Sequence, residues 1–132
     1  MVMIGEIMKI YIAHSKKLDY KENLYKPIRN ALDLQKYQII LPHEKTSDSS
    51  NPRKFYKDLS VMIAEVSAPA TGMGIELGWA YDDGVPIYCI YQKNSKVSGS
   101  LKCLTSHFIE YTSEEDLLEI IKNIIKEVEE RK

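Results

Sequence analysis

A chain of 132 residues, 44% of them hydrophobic, suits one domain and can bury roughly two-thirds of its surface on folding. Eighteen basic against nineteen acidic residues leave a net charge of -1, so no overall positive field draws in a nucleic-acid polymer or an anionic membrane, and small-molecule or protein partners are expected. Cys89 and Cys103 form no disulfide framework and match no zinc spacing, and no run approaches the roughly 18 apolar residues of a membrane span; the expected setting is a reducing cytoplasm, with no metal and no cofactor.

Lys9 to Ala13 alternates and is rich in β-formers, which predicts a first strand, and Tyr20 to Leu34 carries Leu24, Ile28 and Leu32 at helical spacing. Tyr37 to Leu41 reads as a second strand. Asn51-Pro52 supplies an N-cap and a first helical residue for a short helix. The apolar run Val61 to Val66 is a third strand, followed by a helix over Gly72 to Asp83 that stops at Gly84. Val85 to Tyr91 is a fourth strand, a short helix lies near Ser100 to Leu104, and His107 to Tyr111 is a fifth strand. Thr112 with Glu115 reads as a capping box for a final helix whose apolar face is Leu117, Ile120, Ile121, Ile124, Ile125 and Val128. Met8 is an alternative start, which would leave Met1 to Ile7 as a tail.

Five short strands alternating with helices predict an α/β fold, a flavodoxin-like (Rossmann-like) parallel sheet in the order 2-1-3-4-5 with helices on both faces. Such sheets bind ligands beyond the carboxyl ends of their strands, where the strand order reverses. Here that crevice falls between the first and third strands, lined by Tyr11 to Lys17 and Ser67 to Glu76.

The densest signal is Ala64 to Ala80, AEVSAPATGMGIELGWA. Pro69, Gly72 and Gly74 mark a strand-to-helix turn whose backbone N–H groups and helix dipole suit an anion, and Glu76 follows in the first turn or so. Taken alone, Glu76 reads as a dipole-favoured surface residue and the Gly72/Gly74 pair as close helix–strand packing. Location changes the balance, because Tyr11 stands at strand register beside the same crevice, placed to hydrogen-bond a carboxylate. The loop His14-Ser15-Lys16-Lys17 offers further donors there, against the plainer reading of a solvated basic loop. His43 follows the second strand at its carboxyl end. His14, His43 and His107 have no metal-ligand spacing, and no G-x-S-x-G elbow is present.

On these residues the chain resembles the nucleoside 2-deoxyribosyltransferase family, and within it the deoxynucleoside 5'-monophosphate N-glycosidases. The likeness is strongest over Ala64 to Ala80, continues through Ile87 to Tyr91, and is weaker over Lys9 to Ser15 and Ile40 to His43. The resemblance implies that Glu76 is the nucleophile, Tyr11 its orienting partner, and Gly72 and Gly74 part of a nucleotide-binding loop. It further implies that Ser15 contacts the ligand, beside His14, which is a candidate from the donors of its loop, and that Ser100 reaches the phosphate from a neighbouring subunit, in a homodimer with shared sites. Six residues before the Glu, the nucleotide hydrolases carry a serine and the transferases an aspartate; this chain has Ala70, with Thr71 beside it. The family aspartate that assists the leaving base falls on Pro52 by gapless counting, and a shifted register gives the role to Asp58.

The implied chemistry is retaining cleavage of an N-glycosidic bond through a covalent glycosyl-enzyme, resolved by water or, in a transferase, by a second base. Two other classes compete. Tyr11 to Tyr20 resembles the opening of a Toll/interleukin-receptor-like domain, which would cleave NAD or dock proteins, and a flavodoxin-like domain without catalysis is the third reading.

Overall fold

The computed structural model describes residues 7–44 and 58–131. The expected Asn51-Pro52 cap and the Lys45 to Ser50 loop lie outside them. Five strands, β1 (Lys9–His14), β2 (Gln38–Ile40), β3 (Val61–Glu65), β4 (Ile87–Gln92) and β5 (Phe108–Tyr111), form one all-parallel sheet in the order β2-β1-β3-β4-β5. This is the flavodoxin-like arrangement, and its strand order reverses between β1 and β3.

Strands β1 and β3 lie at the centre of the sheet, so they are apolar on both faces. Ile10, Ile12, Val61 and Ile63 point to one side and pack with Leu24, Ile28, Ile121 and Ile125. Tyr11, Ala13, Met62 and Ala64 point to the other, against Met73, Leu77 and Ala80. Helices α1 (Lys26–Asn30) and α3 (Glu114–Glu130) therefore cover the first face, and α2 (Thr71–Asp82) the second.

Three local departures from the sequence expectation have physical causes. The helix expected over Tyr20 to Leu34 is broken into a π-type turn (Lys21–Tyr25), α1 and a 3₁₀ turn (Leu32–Leu34). Pro27 lacks an N–H and so cannot sit inside one continuous α-helix; it occupies the second position of α1. The cap of α3 is Ser113 rather than Thr112: Ser113 Oγ accepts the Asp116 N–H at 3.1 Å, and the Asp116 carboxylate accepts the Thr112 N–H at 2.9 Å. The cap is thus one residue later than expected and is not a reciprocal box, since Asp116 reaches back to the Thr112 N–H rather than to that of Ser113, and Glu115 faces solvent. Helix α2 begins at Thr71, so Glu76 is its sixth residue and lies in the second turn.

Elsewhere boundaries move by one or two residues. Gly84 follows α2 with φ +73°, the left-handed conformation that glycine adopts without strain. Among the described residues, no helix is long and apolar enough to cross a membrane.

Candidate functional site

Tyr11 is 0% exposed and belongs to the α2 side of β1. On α2 the inward positions are Met73, Leu77 and Ala80, and Glu76 falls on the same stripe by helical spacing, which half-buries it. The Tyr11 hydroxyl donates a hydrogen bond to Glu76 Oε2. The two residues singled out from sequence are therefore partners, and the bond leaves the second carboxylate oxygen of Glu76 for another contact.

Helix α2 opens on Ala70, whose extended backbone (φ -154°, ψ 135°) places it at the N-cap, yet among the described residues no side chain caps the helix. Thr71, Gly72 and Gly74 are exposed. A Cβ built at Gly72 or Gly74 would meet nothing within 4 Å, so these glycines do not serve close helix–strand packing. What they leave is open backbone over the first turn, where N–H groups lack intrahelical partners and the dipole favours an anion.

Across the carboxyl ends of β1 and β2 stands a cluster of four rings. His14 stacks on Tyr20 with centroids 4.5 Å apart and meets Tyr25 and His43 edge-on at 5.2 Å and 5.6 Å. Its Nδ1 lies 3.1 Å from the Ser15 carbonyl, which can only accept, so Nδ1 carries the proton. Nε2 then accepts from the Tyr25 hydroxyl at 2.6 Å, and Tyr25 in turn accepts the His43 backbone N–H at 3.0 Å. Burial holds His14 below the ordinary imidazole value, in keeping with this neutral tautomer.

His43 is also lowered, by its own burial and by the Lys16 cation, with the Glu76 carboxylate pulling the other way. Tyr25 is raised, chiefly by burial, with a contribution from the same carboxylate. The Glu76 carboxylate is thus near enough to the ring cluster to act on the charge of His43 and Tyr25.

The remaining expected site residues are placed less directly. Ser15 is buried, and its Oγ accepts the Lys17 N–H at 3.0 Å, bracing the turn after β1. His14 is an internal member of the ring cluster rather than an exposed loop donor. Asp58 is not brought to the crevice: it stands three residues ahead of β3, at the amino edge of the sheet, exposed and with φ 63°. Ser100 is exposed on the 3₁₀ turn Gly99–Cys103. Cys89 is core, its thiol pushed up to about 11 by burial.

Sequence reasoning missed Glu65, the last residue of β3. It is 1% exposed, its Oε1 accepts the Ser67 N–H at 2.7 Å, and its Oε2 accepts the Ser67 hydroxyl at 2.8 Å and the Tyr111 hydroxyl. Ser67 Oγ also accepts the Gln92 N–H at 2.8 Å. The one available signal was a carboxylate terminating an otherwise apolar central strand.

No protein-family model matches the chain. A curated protein of Methanococcoides burtonii, named "Putative 2'-deoxynucleoside 5'-phosphate N-hydrolase 1", is 43% identical over 47 residues. That similarity covers 36% of this chain and 38% of the relative's length.

Proposed function

We propose that this chain cleaves the N-glycosidic bond of a deoxynucleoside 5'-monophosphate, with Glu76 as nucleophile. The observation that carries the reading is the Tyr11–Glu76 hydrogen bond at the strand-order reversal, beside a helix terminus with open backbone. The name of the M. burtonii relative supports the same substrate class.

In the first step the bond between C1' and the base nitrogen breaks as a Glu76 oxygen bonds C1', and the base departs with its electron pair and takes up a proton. Tyr11 holds Oε2, so that Oε1 faces the sugar with its orientation fixed before substrate arrives. In the second step water attacks C1' and gives up a proton to solvent, the Glu76–C1' bond breaks with its electron pair returning to the carboxylate, and a sugar 5-phosphate leaves. The 5'-phosphate sits on the N–H groups of Thr71 to Met73, the Gly74 N–H being already bonded to the Ala70 carbonyl at 3.1 Å, and this turns remote binding into orientation of C1'. No described residue is assigned to protonate the base, and the exposed Asp58 is not given that role. In this reading Ser100 reaches the phosphate of a neighbouring copy in a homodimer.

A deoxyribosyl transfer uses the same first step, and Ala70, which offers no polar side chain at the helix start, favours it as the second reading. Free-base release from a panel of deoxynucleoside 5'-monophosphates and deoxynucleosides, with and without an acceptor base, separates the two. Release from monophosphates that vanishes in Glu76→Ala is expected. Acceptor-dependent exchange would move the assignment to transfer, and no turnover by folded wild-type protein would sink both.

A further inference from the structure

Burying a carboxylate is costly unless every lone pair finds a partner. Glu65 has no ion-pair partner among the described residues, yet it accepts three hydrogen bonds, from two groups of Ser67 and one of Tyr111. Tyr111 is raised well above its usual value, by burial first and then by its bond to Glu65, and so stays a donor. Through Ser67 the network also reaches the Gln92 N–H. One side chain therefore ties together the carboxyl ends of β3, β4 and β5.

Where the tie is made matters more than its strength. Ser67 is the second residue after β3, and from it only Ala68, Pro69 and Ala70 separate the fixed point from the first turn of α2. A buried network with every member satisfied holds one geometry, whereas apolar packing of similar volume would leave the loop free to shift. We propose that Glu65 is a positioning residue: with Ser67 and Tyr111 it clamps the start of the 67–74 segment, and so sets where the open first turn of α2 and Glu76 stand relative to Tyr11. The catalytic half of this inference rests on the function proposed above; the structural half does not.

The test is amide hydrogen exchange of the full chain alongside steady-state base release from a deoxynucleoside 5'-monophosphate, for wild type, Ser67→Ala, Tyr111→Phe, Glu65→Ala and Glu65→Gln. Tyr111→Phe and Ser67→Ala each remove only a hydroxyl, so at least these keep the shape of the core. Local opening of the clamp is expected to speed exchange at residues 67–74 by about tenfold or more while α3 keeps its protection. A displaced nucleophile is expected to lower kcat by about tenfold to a hundredfold. Glu65→Gln, which keeps one acceptor oxygen for the Ser67 N–H and can donate through its NH2 to the two hydroxyl oxygens, should recover much of what Glu65→Ala loses in both.

Unchanged exchange at 67–74 in both hydroxyl-deletion variants would overturn the clamp. So would a uniform rise across all five strands, which would make Glu65 a general stabiliser, and so would faster local exchange with kcat unaltered. Local acceleration in a protein whose wild type releases no base would uphold the clamp while the N-glycosidase reading fails alone.

Discussion

The hydroxyl of Tyr11 and the carboxylate of Glu76, 65 positions apart in the chain, meet in one hydrogen bond at the place where the sheet reverses its strand order. The bond is directional, because Tyr11 donates to Oε2 and thereby leaves Oε1 available. Tyr11→Phe preserves the buried ring and removes only the donor. Its kcat for base release is expected to fall by about tenfold to a hundredfold, the range for loss of one orienting or charge-stabilising group, with KM changed much less. Steady-state kinetics, with circular dichroism to confirm the fold, check this.

The glycines of α2 give a second expectation. Gly74 and Gly78 are both helical, exposed, and have nothing within 4 Å of a built Cβ. Alanine at either should raise stability by about 0.5–1 kcal/mol, because glycine loses more backbone entropy in a helix. The two should separate in function: Gly74→Ala is expected to raise KM for a monophosphate by crowding the first turn, whereas Gly78→Ala leaves it unchanged. Thermal melts and KM values for both variants decide it.

A pH effect follows from His14. Its folded value lies below the ordinary 6.5, because burial disfavours the imidazolium, with His43 and Lys16 adding to the effect and Tyr20 and Tyr25 packed around the ring. As the pH falls through about 6.5 the unfolded chain takes up a proton that the folded chain does not, so the unfolded state gains. Stability from this site is therefore fully present above 6.5 and is lost as the pH drops from there toward the folded value. Melting temperature measured from pH 8 to pH 5 should fall across that window, and His14→Gln should flatten the slope.

Ser113→Ala should cost about 1 kcal/mol, the usual loss for an N-cap whose oxygen holds a first-turn N–H. Thr112→Ala should cost less, since the Thr112 backbone N–H that bonds Asp116 is unaffected. Urea titrations of the two variants distinguish the caps.

The sheet was legible in the sequence because central parallel strands are short, continuous apolar runs, and Val61 to Ala64 is such a run. Glu76 and Tyr11 were legible as well, one from its place after the glycines and the other from strand alternation. The first helix misled because Leu24, Ile28 and Leu32 keep helical spacing straight through Pro27, and spacing does not register a missing N–H; in the fold Leu32 is exposed on the 3₁₀ turn. Glu65 was invisible because its value depends on Tyr111, 46 residues away, and no local pattern announces that partner. The ring cluster was hidden for the same reason, since His14, Tyr25 and His43 converge only after β1 and β2 pair.

The pairing of β1 with β3 matches Ile10 to Val61 and Ala13 to Ala64, so the middle of the sheet joins segments about fifty residues apart. Closing so long a loop costs chain entropy before any contact rewards it, so this junction forms only after a non-local encounter that no neighbouring turn can template. Tyr11 rides on one of those strands, and Glu76 on the helix that follows the other. The Tyr11–Glu76 pair therefore exists only where the β1–β3 junction is made, and a chain without that junction holds its carboxylate without the tyrosine that bonds it.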